Sequence, residues 1–305
     1  MKNKITIAAF YKFVNLPHFQ ELQIKIKNFC INHEIKGTIL LGQEGINSTI
    51  SGLDHNIHAT LNFLKSHTEF ADLSYKLSYN DSHPFIRLKV RLKKEIVTLG
   101  VPNVDPTKQV GEYIDPADWN KLISDPTVVN IDTRNEYEVK IGTFKNAINP
   151  HINTFREFPK FFTDNYNHID QNQKIAMYCT GGIRCEKSTA YLLQLGFKNV
   201  YHLNGGILNY LQKVPKQDSL WQGECFLFDN RIGVDHSINK GCYNMCPGCR
   251  HPISPEDQQA PQYKHGIYCP HCFDSISEKT IKRAEARLKQ LMLAKKSINL
   301  VQSTG

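Results

Sequence analysis

No stretch of this chain is apolar for long enough to cross a membrane, and its first residues lack the layout of a signal peptide. A soluble cytoplasmic protein is therefore expected. There is no internal repeat or low-complexity tract, so a repeat array is not anticipated. No flavin or haem fingerprint is visible, and no non-haem iron triad can be assigned from the sequence. Charge of one sign is also modest. A net +8 and a pI near 8.9 raise the prospect of a polyanionic partner only slightly. What is present is cysteine, nine in all, an odd number concentrated in two motifs. That usage points to thiol chemistry and metal in a reducing compartment rather than to disulfides. A length of 305 residues leaves room for two or three domains, each with its own core.

The first cysteine motif is Ile175-Ala-Met-Tyr-Cys179-Thr180-Gly181-Gly182-Ile183-Arg184. Its apolar start reads as a buried strand, broken by Gly-Gly, and residues 186–195 read as a helix that stops at Gly196. A cysteine at such a strand end faces successive backbone N–H groups and a helix N-terminus, where negative charge is favoured. Arg184 adds a permanent cation. Together these lower a thiol pKa and make Cys179 a nucleophile. The plainer alternative is a buried structural cysteine.

Residues 1–100 read as a first domain. Residues 5–14 are apolar and aromatic, and residues 17–33 carry Leu22, Ile26, Phe29 and Cys30 at helical spacing. Residues 37–41 and 45–50 look like paired strands around Gly42-Gln-Glu-Gly45, and residues 53–66 like a second helix with Leu53, Ile57, Leu61 and Leu64 on one side. Strand signals at 73–79 and 85–99 complete a β-α-β-β-α-β order, which predicts a ferredoxin-like α+β sheet. In the last strand Arg87, Lys89, Arg91 and Lys93 alternate with Ile86, Leu88, Val90 and Leu92. The cations should line one face and the apolar residues should pack on helices. The cationic face is either an RNA-backbone contact or a solvated surface. Residues 101–121, with Pro102, Pro106, Gly111 and Pro116, read as a linker.

Residues 122–216 alternate strand and helix in the manner of an α/β domain with a parallel sheet. A strand at 128–131 ends at Asp132-Thr-Arg134, Ala147-Ile-Asn-Pro150 precedes a polar helix, and a strand at 199–203 runs into Asn204-Gly205-Gly206. Ligands of open parallel sheets collect beyond the carboxyl ends of the strands, where Asp132, Arg134, Cys179 and Arg184 all fall. Asp132-Thr-Arg134-Asn-Glu136-Tyr137, Gly142, Ala147-Ile-Asn149-Pro150, Cys179-x-x-Gly182-x-Arg184 and Leu203-Asn-Gly205-Gly206 together resemble a rhodanese domain. The resemblance implies that Cys179 is the persulfide-forming cysteine and that Gly181, Gly182, Ile183 and Arg184 complete the loop holding the sulfane sulfur. Four residues separate Cys179 from Arg184. Related cysteine phosphatases use a wider ring, so a phosphate dianion would be crowded here. Asp132 and Arg134 are expected to pin the strand end. Thr180 stands where many sulfurtransferases carry a cation, and Tyr210 where a tryptophan is frequent. Cys185 is either a resolving thiol or a buried small hydrophobe.

Residues 217–276 form a cysteine-rich extension. Cys246-Pro-Gly-Cys249 and Cys269-Pro-His-Cys272, with nineteen residues between them, are paired C-x-x-C knuckles with the spacing of a four-thiolate zinc site. With few aliphatic residues nearby, a metal would supply this segment's fold. Four protein thiolates leave no open position, so a structural zinc is expected. Cys242 and His271 are spare ligand candidates. The basic tail at 277–305 looks helical and carries Lys279, Lys282, Arg283, Arg287, Lys289, Lys295 and Lys296, a face for RNA phosphates or for solvent.

As a whole the chain resembles the bacterial tRNA uridine hydroxylase family, on Gly37-Thr-Ile-Leu-Leu-Gly-Gln-Glu-Gly-Ile-Asn47 and Cys179-Thr-Gly-Gly-Ile-Arg-Cys-Glu-Lys187. That resemblance implies a tRNA partner engaged at its anticodon region and 5-hydroxylation of the wobble uridine, with molecular oxygen as co-substrate. A persulfide-forming sulfurtransferase acting on a thiol or tRNA acceptor is the principal alternative. An RNA-binding scaffold with a vestigial loop is the third. It would tolerate loss of Cys179 but not charge reversal of Arg87, Lys89 and Arg91.

Overall fold

The computed structural model describes residues 4–166 and 169–302, with side chains through residue 290. It divides into two compact units, one taking the chain up to Asn230 together with Val234–Asn239, the other Arg231–Gly233 and the chain from Lys240.

The first unit opens with a five-stranded sheet. Strands β1 (Ile5–Phe13), β2 (Lys36–Gly42), β3 (Gly45–Gly52), β4 (Lys76–Asn80) and β5 (Leu88–Leu92) lie in the order β4-β1-β3-β2-β5. The first four pair antiparallel in the ferredoxin-like order, and β5 adds itself parallel to β2. Helices α1 (Phe19–Asn32) and α2 (Asp54–Lys65) cover one face. Their inward residues recur every three or four positions, Leu22, Ile26 and Cys30 on α1 and Ile57, Leu61 and Leu64 on α2, as a single apolar stripe requires. They meet Ala8, Phe10, Ile39, Leu41, Ile46 and Ile50 from the sheet.

The last strand is shorter than its sequence alternation suggested. It spans Leu88–Leu92, and only Leu88 and Val90 pack on the core. Ile86 is 86% exposed and Leu92 42%, because Ile86 precedes the strand and Leu92 ends the edge strand of the sheet. Lys93 lies just past the strand end.

Register locates the other face. Lys89 opposes Thr38, Thr38 opposes Thr49, Thr49 opposes Ala9, and Ala9 opposes Lys76. Directly opposed residues share a face, so Lys89 and Lys76 stand at the two ends of one row. Arg91, Leu40, Asn47 and Tyr11 form the next row on that face. It is the side away from α1 and α2.

The second sheet is parallel, in the order β6-β10-β9-β7, built from β6 (Glu112–Ile114), β7 (Val128–Asp132), β9 (Lys174–Tyr178) and β10 (Val200–Leu203). The segment at 101–121, read as a linker, therefore contains an edge strand of this sheet and most of α3 (Pro116–Ile123). Trp119 of α3 is fully buried. Three residues of strand are too few to show a period, and the prolines and glycine around them carry the stronger sequence signal. Helix α4 (Glu136–Val139) and strand β8 (Gly142–Phe144) follow β7. Helix α5 (Phe158–Tyr166), expected to be polar, buries Phe158 and Phe162. Helix α6 (Ile183–Gln194) follows β9 and starts three residues earlier than the sequence suggested, and α7 (Gly206–Lys213) follows β10.

Strand β11 (Trp221–Gly223) pairs antiparallel with β8, and Trp221 and Cys225 enter the core beside the parallel sheet around Phe144, Tyr178 and Tyr210. The start of the supposed extension thus completes the preceding core. In the second unit, Asn244–Met245 pairs with Pro252–Ile253, and α8 (Glu278–Gln302) carries Lys279, Lys282, Arg283, Arg287 and Lys289 exposed. The side chains of Lys295 and Lys296 lie outside the described residues. No helix among the described residues is long and apolar enough to cross a membrane.

Candidate active site

Cys179 follows β9 directly and begins a tight turn into α6. The carbonyl oxygens of this turn face outward. Cys179 O accepts from Ile207 N at 2.9 Å and Thr180 O from Leu208 N at 3.1 Å, both amides at the start of α7. Gly181 O accepts from Lys76 Nζ at 3.3 Å. With the carbonyls held outside, the amides point in, and Gly182 N donates to Cys179 Sγ at 3.1 Å. Two glycines make this packing possible. A Cβ on Gly206 (φ +69°) would stand 2.5 Å from Cys179 O, and one on Gly182 (φ +108°) 2.6 Å from Tyr11 Oη.

Arg184 lies on the first turn of α6, but its charge is not free. Its guanidinium forms a fork to Glu138, at 2.6 Å to Oε1 and 2.8 Å to Oε2, and both side chains are buried. Burial opposes ionisation of Arg184, and the Glu138 carboxylate keeps it charged. Glu138 also closes a capping box at the start of α4, with Asn135 N donating to Oε1 at 3.1 Å. A second buried pair supports the first. Arg134 Nη2 meets Asp132 Oδ2 at 2.6 Å and Gly142 O at 2.6 Å, while Nη1 reaches Glu138 O at 3.3 Å. Asp132 and Arg134 thus brace β8 and α4, and Glu138 links them to Arg184.

Cys179 is 1% exposed. Burial alone pushes its thiol up. The Cys185 thiol, the Arg184 cation and the amides of Cys185 and Gly182 outweigh that, and bring it from 9 down to about 5. Cys185 is fully buried. Burial and its role as donor to the Cys179 sulfur raise its own thiol well above the usual range, and Thr133 Oγ1 lies 3.6 Å from its sulfur. The two thiols therefore form one donor–acceptor pair.

Sequence reasoning missed the residues that reach the loop from the first sheet. Tyr11 Oη donates to Glu186 Oε1 at 2.7 Å, and burial raises the Glu186 carboxyl. Lys76 Nζ reaches Gly205 O as well as Gly181 O. Lys187, 1% exposed, joins Glu44 at 2.7 Å and Glu95 at 2.6 Å. The motifs Gly42-Gln-Glu44-Gly45 and Cys185-Glu186-Lys187 did carry a signal, since each supplies one end of these contacts. Glu138, Tyr11 and Lys76 carried none. The helix-free face of the first sheet is thus the cover of the Cys179 loop. Lys89 and Arg91 share that face, but β5 and β4 are four strand spacings apart, about 19 Å.

In the second unit the sulfurs of Cys246, Cys249, Cys269 and Cys272 all lie within 4.8 Å of one another. Separations of 3.9 Å (Cys246–Cys272), 3.7 Å (Cys249–Cys269) and 3.9 Å (Cys269–Cys272) match the edge of about 3.8 Å for a tetrahedron with metal–sulfur bonds of about 2.3 Å. These four cysteines are positioned to hold a metal ion. His271 faces Asp257 at 3.1 Å instead, and Cys242 is exposed outside the set.

Two family models match separate parts of this chain. Residues 5–96 match the family model described as a UPF0176 acylphosphatase-like domain, and residues 115–213 that of a rhodanese-like domain. Among solved structures, a rhodanese-like domain protein from Staphylococcus aureus is 26% identical, with 32% of this chain and 90% of that chain covered and a TM-score of 0.27. The BH2092 protein from Bacillus halodurans is 25% identical, with coverage of 38% and 80% and a TM-score of 0.27. A polysulfide-sulfur transferase homodimer from Wolinella succinogenes is 22% identical, with coverage of 34% and 74% and a TM-score of 0.27.

Proposed function

For a chain that joins a UPF0176 N-terminal domain to a rhodanese-like domain, we propose a tRNA-modifying enzyme that uses the Cys179 thiolate for oxygen-dependent 5-hydroxylation of the wobble uridine. The rhodanese-like domain supports an activity of the sulfurtransferase type or a related one. The observation that carries the thiol-dependent part is the Cys179 sulfur itself, bonded by Gly182 N at 3.1 Å and brought down to about 5. At neutral pH such a sulfur is a thiolate, ready to attack an electron-poor carbon.

In this reading the thiolate adds to C6 of uracil and the C4 carbonyl takes the charge as an enolate. C5 then bonds to oxygen as a peroxide. A two-electron reductant of the thiol class cleaves the O–O bond, leaving the C5 hydroxyl and releasing water. Loss of the C5 proton expels the thiolate and restores the ring. Arg184, Cys185 and the loop amides serve the sulfur as it gains and loses charge. With the sulfur 1% exposed, binding of the base requires a local opening of the site, one wall of which carries Tyr11 and Lys76.

The tRNA partner rests on the cations Arg87, Lys89, Arg91 and Lys93 and on the basic side of α8. Support for the first set is that Lys89 and Arg91 share the sheet face that covers the loop, so a backbone held there runs toward Cys179. For the metal set we propose zinc in a structural role, because four thiolates complete its coordination.

The rival reading is a sulfurtransferase in which Cys179 carries a persulfide to a thiol or tRNA acceptor, and the match to the rhodanese-like domain favours it. Nucleoside mass spectrometry of tRNA incubated with pure protein, a thiol reductant and oxygen separates the two. The hydroxylase reading expects a gain of oxygen on uridine that needs oxygen gas and vanishes in Cys179→Ala while tRNA affinity stays within about twofold. Oxygen incorporation by Cys179→Ala at the normal level would overturn it, and sulfur incorporation would establish the rival.

A further inference from the structure

We propose that Lys76, on the outer strand β4 of the N-terminal sheet, is a positioning residue for the Cys179 sulfur, acting through the peptide between Gly181 and Gly182. The inference rests on the thiolate reading of Cys179 and adds a residue from another domain to that site. A peptide group has two ends. The carbonyl end here, Gly181 O, accepts from the Lys76 ammonium at 3.3 Å, and the amide end, Gly182 N, donates to Cys179 Sγ at 3.1 Å. A cation on the oxygen draws electron density along the amide and strengthens the N–H as a donor. It also fixes the plane of the peptide, which matters because glycines at 181 and 182 leave the loop little rigidity of its own. The same ammonium holds Gly205 O at the turn before α7. That helix in turn anchors the carbonyls of Cys179 and Thr180. All three outward carbonyls of the loop are thereby held, two by helix amides and the third by Lys76.

Charge points the same way. Arg184 is neutralised by its fork to Glu138, and Thr180 offers a hydroxyl rather than a cation beside the cysteine. The groups that face Lys76 are Cys179, Cys225, Lys213 and the carbonyls of Gly181 and Gly205. Around the sulfur stand Cys185, Arg184, Lys76, Cys225, Tyr11 and Glu186. Burial pulls Lys76 down to about 8, and the neighbouring sulfur Cys179 holds it up, so it remains protonated at neutral pH. The register explains its location. Lys76 opposes Ala9, two residues from Tyr11, on the face that covers the loop.

The test is the rate of iodoacetamide labelling at Cys179, read by peptide mass spectrometry from pH 4 to pH 9, in the wild type, Lys76→Met and Lys76→Arg. The wild-type midpoint is expected near 5. Lys76→Met should raise it by about one pH unit, a tenfold loss of thiolate below the midpoint, while thermal unfolding shows the variant folded. Lys76→Arg should restore it, since a guanidinium supplies both charge and donor. Should the Met variant fail to fold, Lys76→Gln, which keeps a donor without the charge, should move the midpoint by about half as much. An unmoved midpoint in a folded Met or Gln variant, or an Arg variant shifted as far as Met, overturns the role of Lys76 alone. A wild-type midpoint near 9 would instead overturn the thiolate reading on which it stands.

Discussion

Replacing Cys179 with serine should cost stability in a pH-dependent way, and the size of the effect follows from the buried sulfur. The native thiol is brought from 9 to about 5, so between those values the folded chain holds a thiolate while the unfolded chain holds a thiol. Unfolding then takes up a proton, and stability rises with pH. The contribution is full above pH 9, falls as pH drops, and is gone below pH 5. At pH 8, about three units above the native value, it amounts to about 4 kcal/mol, and at pH 5 to about 0.4 kcal/mol. Serine keeps the shape and the hydrogen-bonding role but cannot ionise in this range. The wild-type advantage over Cys179→Ser should therefore widen by about 3–4 kcal/mol between pH 5 and pH 8. For a compact unit of this size that is about 6–16 °C in melting temperature. Paired thermal scans at both pH values measure it, with the difference between variants cancelling the titrating groups that do not face Cys179. A gap that is the same at pH 5 and pH 8 would mean a neutral thiol in the folded protein, and the reasoning from amide and guanidinium to thiolate would fail.

Two further substitutions probe the supports. Glu138→Gln leaves Arg184 buried without its carboxylate, which should lower stability by about 3–5 kcal/mol and yet leave Cys179 more acidic, since the Arg184 charge is no longer shared. A variant that melts normally, or whose Cys179 labels with a higher midpoint, contradicts the assignment of Glu138. Purified protein is expected to hold one zinc ion per chain by elemental analysis, lost on chelation or in Cys246→Ser with Cys272→Ser, and with faster proteolysis around residues 240–276. Four freely titrating thiols at these positions in untreated protein would count against the metal site.

Local chemistry was readable without coordinates. A strand, a turn with two glycines and a helix start lie within ten residues, so the amide cradle of Cys179 could be derived from order alone. The same holds for paired knuckles, where each C-x-x-C turn sets two sulfurs together, and for the apolar stripes of α1 and α2. Short or aperiodic elements were lost. The edge strand β6 has three residues and hid in a proline-containing stretch, and Ile86 was assigned to a strand that begins after it.

Sequence by itself determined that one cysteine faces a helix start beside an arginine and that four others pair for metal, because each is a matter of neighbours along the chain. Tertiary structure alone decided how charge is shared. Glu138 lies 46 residues from Arg184, Lys76 lies 105 from Gly181, and Tyr11 lies 175 from Glu186. Contacts at such separations leave no period or spacing in the primary order, since they arise only when one sheet closes over the loop of another.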